Sequence, residues 1–180
     1  MQTQTTERTC EEQVERRMDS RLNDLRLMLN PQPTDAFITE EGLTAEGDHF
    51  RTIKICDREF KVQTLIQDDA SAIFKANEDE IRDELREHFH EYALSFDVVH
   101  AENPGESYVR YQISTGGPAE EIRFFCDFNR KPYKAEFWFL DWFDGASRDC
   151  THRLEIDLLI DALGFHDWLA DDDGFWRDEA

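Results

Sequence analysis

The sequence is short of positive charge, of metal-binding spacings and of long apolar runs, and each shortage excludes a class of function. Only 20 Lys and Arg stand against 41 Asp and Glu, a formal net charge of −21 over 180 residues. A typical small domain stays within about 8 charges of neutrality. Duplex DNA carries about one negative charge per 1.7 Å of axis, so a chain this anionic is not expected to bind nucleic acid directly. No apolar run approaches the roughly 18 residues of a bilayer-crossing helix, so no membrane partner is expected. Cys10, Cys56, Cys126 and Cys150 form no C-x-x-C pair, which argues against a zinc site. No apolar leader follows Met1 in the polar start MQTQTTER, so free thiols in a reducing cytoplasm are expected.

Chemical motifs are missing too. There is no P-loop, no H-E-x-x-H, no nucleophile elbow and no dinucleotide fingerprint. Gly116-Gly117-Pro118 lacks the lysine and helix of a phosphate loop. His88 and His90 lie two apart, so on a helix they face different ways and share no metal. Asp171-Asp172-Asp173-Gly174 departs from the alternating ligands of a calcium loop. No cofactor is expected.

Aromatic residues, by contrast, are abundant. Fourteen Phe, four Trp and four Tyr imply a packed interior, because each ring removes a large apolar area from water. The pattern predicts an α+β fold, an antiparallel four-stranded meander with flanking helices plus a small inserted β-hairpin lobe. It reads as a single domain over residues 1–180, with 31–76 as the inserted lobe. Thr9 and Glu12 form a capping box. Val14, Met18, Leu22, Leu25 and Leu29 then recur at helical spacing, ending near Asn30 before Pro31 and Pro33. Residues 31–48 read as a loop, and His49–Cys56 with Glu59–Leu65 as a hairpin. The meander strands are Leu94–Val99, Ser107–Ser114, Glu121–Phe128 and Tyr133–Phe143. Asn103-Pro104-Gly105, Gly116-Gly117-Pro118 and Asn129-Arg130-Lys131-Pro132 supply the turns. A last helix, Arg153–Leu163, carries Leu154, Leu158, Leu159 and Ala162 on one side and stops at Gly164. In the tail, Phe165, Trp168, Phe175 and Trp176 suggest docking.

The clearest candidate site is the helix capped by Asn77. Ile81, Leu85, Phe89 and Tyr92 form its apolar stripe. Glu78, Asp79, Glu80, Asp83, Glu84, Glu87 and Glu91 crowd the rest, against Arg82 and Arg86. The helix dipole favours acids in the first turn, by about 0.3–1 kcal/mol each. That covers Glu78 to Glu80 and leaves Asp83, Glu84, Glu87 and Glu91 unexplained. With Asp171, Asp172 and Asp173 of the tail, they are the candidate partner-binding residues. The matching partner is a basic groove on a nucleic-acid-binding complex, which an acidic protein fits as a DNA mimic.

Other readings compete. The acidity could be a hydration coat for a high-salt habitat, although abundant Phe and Trp with modest Ala fit that composition poorly. Asp141 and Asp144, in Trp138-Phe139-Leu140-Asp141-Trp142-Phe143-Asp144-Gly145, could form the carboxylate pair of a hydrolase, since an apolar pocket raises a carboxyl pKa. The alternative is an ordinary turn with backbone hydrogen bonds. A third reading is an interaction adaptor without mimicry.

The runs Tyr92-Ala93-Leu94-Ser95-Phe96-Asp97, Tyr108 through Pro118 and Glu136 through Ala146, with the piece from Glu12 through Arg26, make up 43 of the 180 residues. They resemble a family of small acidic proteins carried on bacterial plasmids and phages. Relative to that family, residues 31–76 look like an addition. The resemblance implies no catalytic residue. It implies the setting of mobile elements, which encode acidic anti-CRISPR and antirestriction inhibitors of host defence.

Overall fold

The computed structural model describes residues 9–64, 68–100 and 106–165. In chain order they form helix α1 (Cys10–Leu29), a short 3₁₀ turn (Pro33–Asp35), and strands β1 (Phe37–Leu43), β2 (His49–Ile55) and β3 (Arg58–Gln63). Helices α2 (Ala70–Ala76) and α3 (Glu78–Tyr92) follow. Then come β4 (Ser95–Val99), β5 (Tyr108–Ser114), β6 (Ala119–Cys126), β7 (Pro132–Asp141), β8 (Asp144–Asp149) and helix α4 (Leu154–Ala162). The fold is α+β with two antiparallel sheets, in strand orders β1-β2-β3 and β4-β5-β6-β7-β8. The chain divides into two compact units, residues 23–91 and residues 1–22 with 92–180.

The unit of residues 1–22 and 92–180 is built on the five-stranded meander. The period of two along each strand sorts its residues by face. Tyr111, Ile122 and Phe137 sit side by side, as do Val109, Phe124 and Ala135, and all six are buried. The opposite face carries the row Asp97, Arg110, Arg123, Glu136 and Asp149. The capping box opens α1: Thr9 N–H donates to Glu12 Oε2 at 3.0 Å and Glu12 N–H to Thr9 Oγ1 at 3.4 Å. Val14, Met18 and Leu22 are buried at helical spacing. Burying each such side chain stabilises by about 1.5–3 kcal/mol. Phe165 is fully buried, with its ring edge-on to Phe96 and Phe124.

The expected four-stranded meander has five strands. The stretch Tyr133–Phe143 ends early, and Trp142-Phe143 make a two-residue turn with Trp142 at φ +46°. The chain then returns as β8, pairing Asp141 with Asp144 and Leu140 with Gly145. Asp144-Gly145 therefore starts a strand rather than opening a turn. In α4, Ile156 and Leu159 are buried while Leu154 and Ala162 are exposed, so the inward stripe is rotated from the expected one. Gly164 does end the helix region, at φ +56°, a conformation glycine adopts freely.

The unit of residues 23–91 holds the three-stranded sheet. The expected hairpin is β2 and β3, joined at Cys56-Asp57, with Cys56 at φ +56°. It gains a third strand, β1, from the segment expected to be loop. Ile53, Ile55 and Phe60 pack with Ile73 and Phe74 of α2 and Ile81 and Leu85 of α3. Helix α2 was not expected. Asp69 caps it, its side chain accepting from Ala72 N–H at 2.8 Å. Asn77 closes α2 rather than capping α3 with its side chain: its Nδ2 donates to Ile73 O at 2.8 Å. Its carbonyl accepts the first α3 bond, from Ile81 N–H at 3.0 Å. Leu65, Asn103-Pro104-Gly105, Trp168, Phe175 and Trp176 lie outside the described residues.

Candidate partner-binding face

Helix α3 turns Ile81, Leu85 and Phe89 into the core. At 100° per residue, Asp79, Glu80, Asp83, Glu84, Glu87 and Glu91 then fall on the opposite arc. All six are exposed, and Glu78 is half-buried. The six carboxylates span about 18 Å of axis, one per roughly 3 Å. That is close to the roughly 3.4 Å spacing of phosphates along one strand of duplex DNA.

Pairing differs between this helix and α1. Arg82 Nε donates to Glu78 Oε1 at 2.8 Å and Arg82 Nη2 to Pro31 O at 3.2 Å, so this cation is tied to the edge of the face. Arg58 Nη2 lies 3.4 Å from Glu91 Oε2 and also donates to His88 Nδ1 at 2.8 Å. A guanidinium only donates, so Nδ1 accepts and the imidazole carries its proton on Nε2. That nitrogen meets Asp57 Oδ1 at 2.8 Å. Among the described residues, Asp79, Glu80, Asp83, Glu84 and Glu87 have no ion-pair partner. On α1, by contrast, Glu11 and Glu15 meet Arg148 at 2.6 and 3.5 Å, and Asp19 meets Arg153 at 3.0 Å. Glu11, Glu15 and Asp19 of α1 thus have arginine partners and five exposed acids of α3 do not, although exposed Glu12 of α1 and Asp157 and Asp161 of α4 also have none among the described residues. Asp171, Asp172 and Asp173 lie outside the described residues.

His88 is half-buried and engaged as above, while His90 is exposed. Among the described residues no three His, Cys, Asp or Glu gather as metal ligands. No helix among them is long and apolar enough to cross a membrane. All four thiols are free. Burial pushes Cys126 and Cys150 up to about 12 and Cys56 up to about 11.

Asp144 is a structural carboxylate. Its Oδ2 accepts from Cys10 N–H at 2.7 Å, satisfying a donor in the first turn of α1. That backbone hydrogen bond holds its carboxyl below the usual carboxylate range, the opposite of what an acid catalyst needs. The neighbouring Trp142 and Phe143 point to solvent, 83% and 104% exposed. Gly117 leaves room for the indole: an added Cβ there would come within 2.8 Å of Trp142 Nε1.

Two carboxylates escaped sequence reasoning. Glu120 and Glu121 are adjacent in β6 and both buried. Glu120 points to the core face, beside Phe139, and meets Arg21 Nε at 2.6 Å and Arg17 Nη1 at 3.6 Å. Glu121 points to the other face and accepts from Arg123 Nε at 2.6 Å. The Arg123 guanidinium lies 4.6 Å from the Tyr108 ring centre and 3.9 Å from that of Trp138. Comparison with protein-family models, curated proteins and solved structures finds no match.

Proposed function

We propose that this chain is a non-catalytic inhibitor that works as a DNA mimic. In this reading it is encoded by a bacterial mobile element and acts in the host cytoplasm as an anti-CRISPR or antirestriction protein. It seats the α3 face in the basic DNA-binding groove of a defence complex and excludes the duplex. The observation that carries the reading is the density of unpaired acids: Asp79, Glu80, Asp83, Glu84 and Glu87 stand without ion pairs on one face, while Arg148 and Arg153 pair with Glu11, Glu15 and Asp19 of α1. Like charges four apart destabilise a helix by about 0.2–0.5 kcal/mol per pair. A stripe whose acids far outnumber its one exposed arginine, Arg86, is accounted for by a partner that supplies further cations. Such complementarity accelerates encounter and fixes orientation.

The test is displacement of a labelled duplex from purified restriction and CRISPR effector complexes. The wild-type chain displaces it and the variant D83K/E84K/E87K, folded to the same extent, does not. Displacement by both would remove α3 from the reading.

An adaptor role without mimicry rests on a different observation, the exposed Trp142-Phe143 turn. Exposed aromatic anchors are typical of protein-binding hot spots. Retention of a partner by D83K/E84K/E87K, with loss on W142A/F143A, would favour that role.

A further inference from the structure

We infer that the free edge of β1 is a docking site for an extended, basic segment of a protein partner, which adds to the sheet as a fourth strand. Strand β1 bonds only to β2. No backbone bond from its other side joins any described residue. A strand edge of this kind is a template for another chain. Folded proteins usually blunt such edges with lysine, proline or bulges. Here one bulge falls between Ile38 and Glu40, and the register from Glu40 to Leu43 against Thr52 to His49 is unbroken. The edge has neither lysine nor proline, and it exposes Phe37, Ile38 and Leu43, at 53%, 38% and 60%.

The side chains select the occupant. Exposed Glu40 and Glu41 are adjacent, so they project to opposite faces of the sheet. A second copy paired antiparallel over the full strand would set Glu40 against its own counterpart, and like charges directly opposite are destabilising. A segment with two neighbouring lysines or arginines, flanked by β-branched or apolar residues, satisfies both glutamates and covers Ile38 and Leu43. A cavity of about 240 Å³ opens beside the end of the strand, lined by Glu41, Leu43, His49, Phe50 and Thr64 among others. It can take one side chain of the incoming strand, as alternate-residue pockets do in strand addition. Both carboxylates have room for this role. Glu41 keeps most of its side chain in solvent while meeting Arg51 at 3.3 Å.

This inference is independent of the α3 reading: it is read at the β1 amides, and the α3 reading is tested by duplex displacement. The experiment is amide hydrogen exchange and NMR titration of the full chain with three synthetic heptapeptides. The first has two central lysines flanked by Val and Thr. The second has glutamates in place of the lysines. The third is the lysine peptide with alternate amides N-methylated, which keeps the charge but cannot join a sheet.

The expected result is that only the first slows the outward amides of Glu40–Leu43, at least tenfold, and that E40K/E41K abolishes the effect. Equal binding of the N-methylated peptide would overturn the proposal by reducing it to charge attraction. So would protection at another edge, or none at β1. Protection without peptide would overturn it as well, assigning the edge to a second copy if it grew with protein concentration and to the chain itself if it did not. The three-peptide comparison on the wild-type chain decides the matter even if E40K/E41K fails to fold.

Discussion

Arg21 donates through Nε to Glu120 Oε2 at 2.6 Å, and its Nη1 donates to Tyr92 Oη at 3.3 Å. One guanidinium thus meets one oxygen of a carboxylate that is 1% exposed on the core face of the sheet, and the other oxygen, Oε1, lies 3.6 Å from Arg17 Nη1. A buried charge without its partner is far costlier than the pair is stabilising.

Glu120→Ala is expected to destabilise the chain by about 2 kcal/mol, because half-buried Arg21 loses its charge-assisted hydrogen bond while keeping that to Tyr92. Glu120→Gln keeps an acceptor and should cost about half as much. Urea denaturation of both variants checks this, and equal midpoints for wild type and Glu120→Ala would contradict it.

The bare stripe on α3 should oppose folding. Asp83 and Glu87 stand four apart with no cation on either. They also lie beyond the first turn, where the helix dipole favours acids. Neutralising them as D83N/E87Q is expected to stabilise by about 0.5 kcal/mol, with a smaller gain at high salt. Thermal melts at about 20 mM and about 500 mM salt read the difference.

How much of this was legible beforehand depended on the distance over which each residue is explained. The α1 stripe at Val14, Met18, Leu22 and Leu25 and the α3 stripe at Ile81, Leu85 and Phe89 follow from local period, and both sets are buried. Strand β8 did not stand out, since DGASRD has almost no apolar alternation and its turn is made of Trp and Phe, which carry no turn signal. Strand β1 was hidden because none of its residues is buried, so no inward face marks it. Glu120 and Glu121 break the alternation of β6, because each face supplies its own arginine. The acidic arc of α3 could be drawn from spacing alone. That Glu11 of α1 is neutralised could not, because Glu11 and Arg148 are 137 residues apart.

A salt bridge gives the smaller unit a pH dependence. Arg26 donates to both oxygens of Asp35, at 2.9 and 3.0 Å, and these bonds hold the Asp35 carboxyl below its ordinary value. A depressed folded pKa contributes stability above the unfolded value of about 3.9, which is lost as pH falls through the folded one. Asp35→Asn is thus expected to lower stability by about 1 kcal/mol at pH 7. The two proteins should converge as the pH falls below about 4. A gap that stays constant over that range would contradict the assignment.

The thiols should be inert. With Cys56 pushed up to about 11 and Cys126 and Cys150 to about 12, almost no thiolate is present at pH 8. Iodoacetamide followed by mass spectrometry should find these three unmodified in the native chain and alkylated in urea. Rapid native labelling of Cys126 or Cys150 would refute that burial.

The central claim, that bare carboxylates on α3 stand in for phosphates, is tested most directly by equilibrium competition against a labelled duplex on one purified defence complex. Wild type and D83K/E84K/E87K are compared from about 50 to about 300 mM salt. The expected result is displacement by wild type that weakens steeply with salt, and at least a hundredfold loss for the variant at the lowest salt. Equal competition by both chains, or displacement indifferent to salt, would contradict the account.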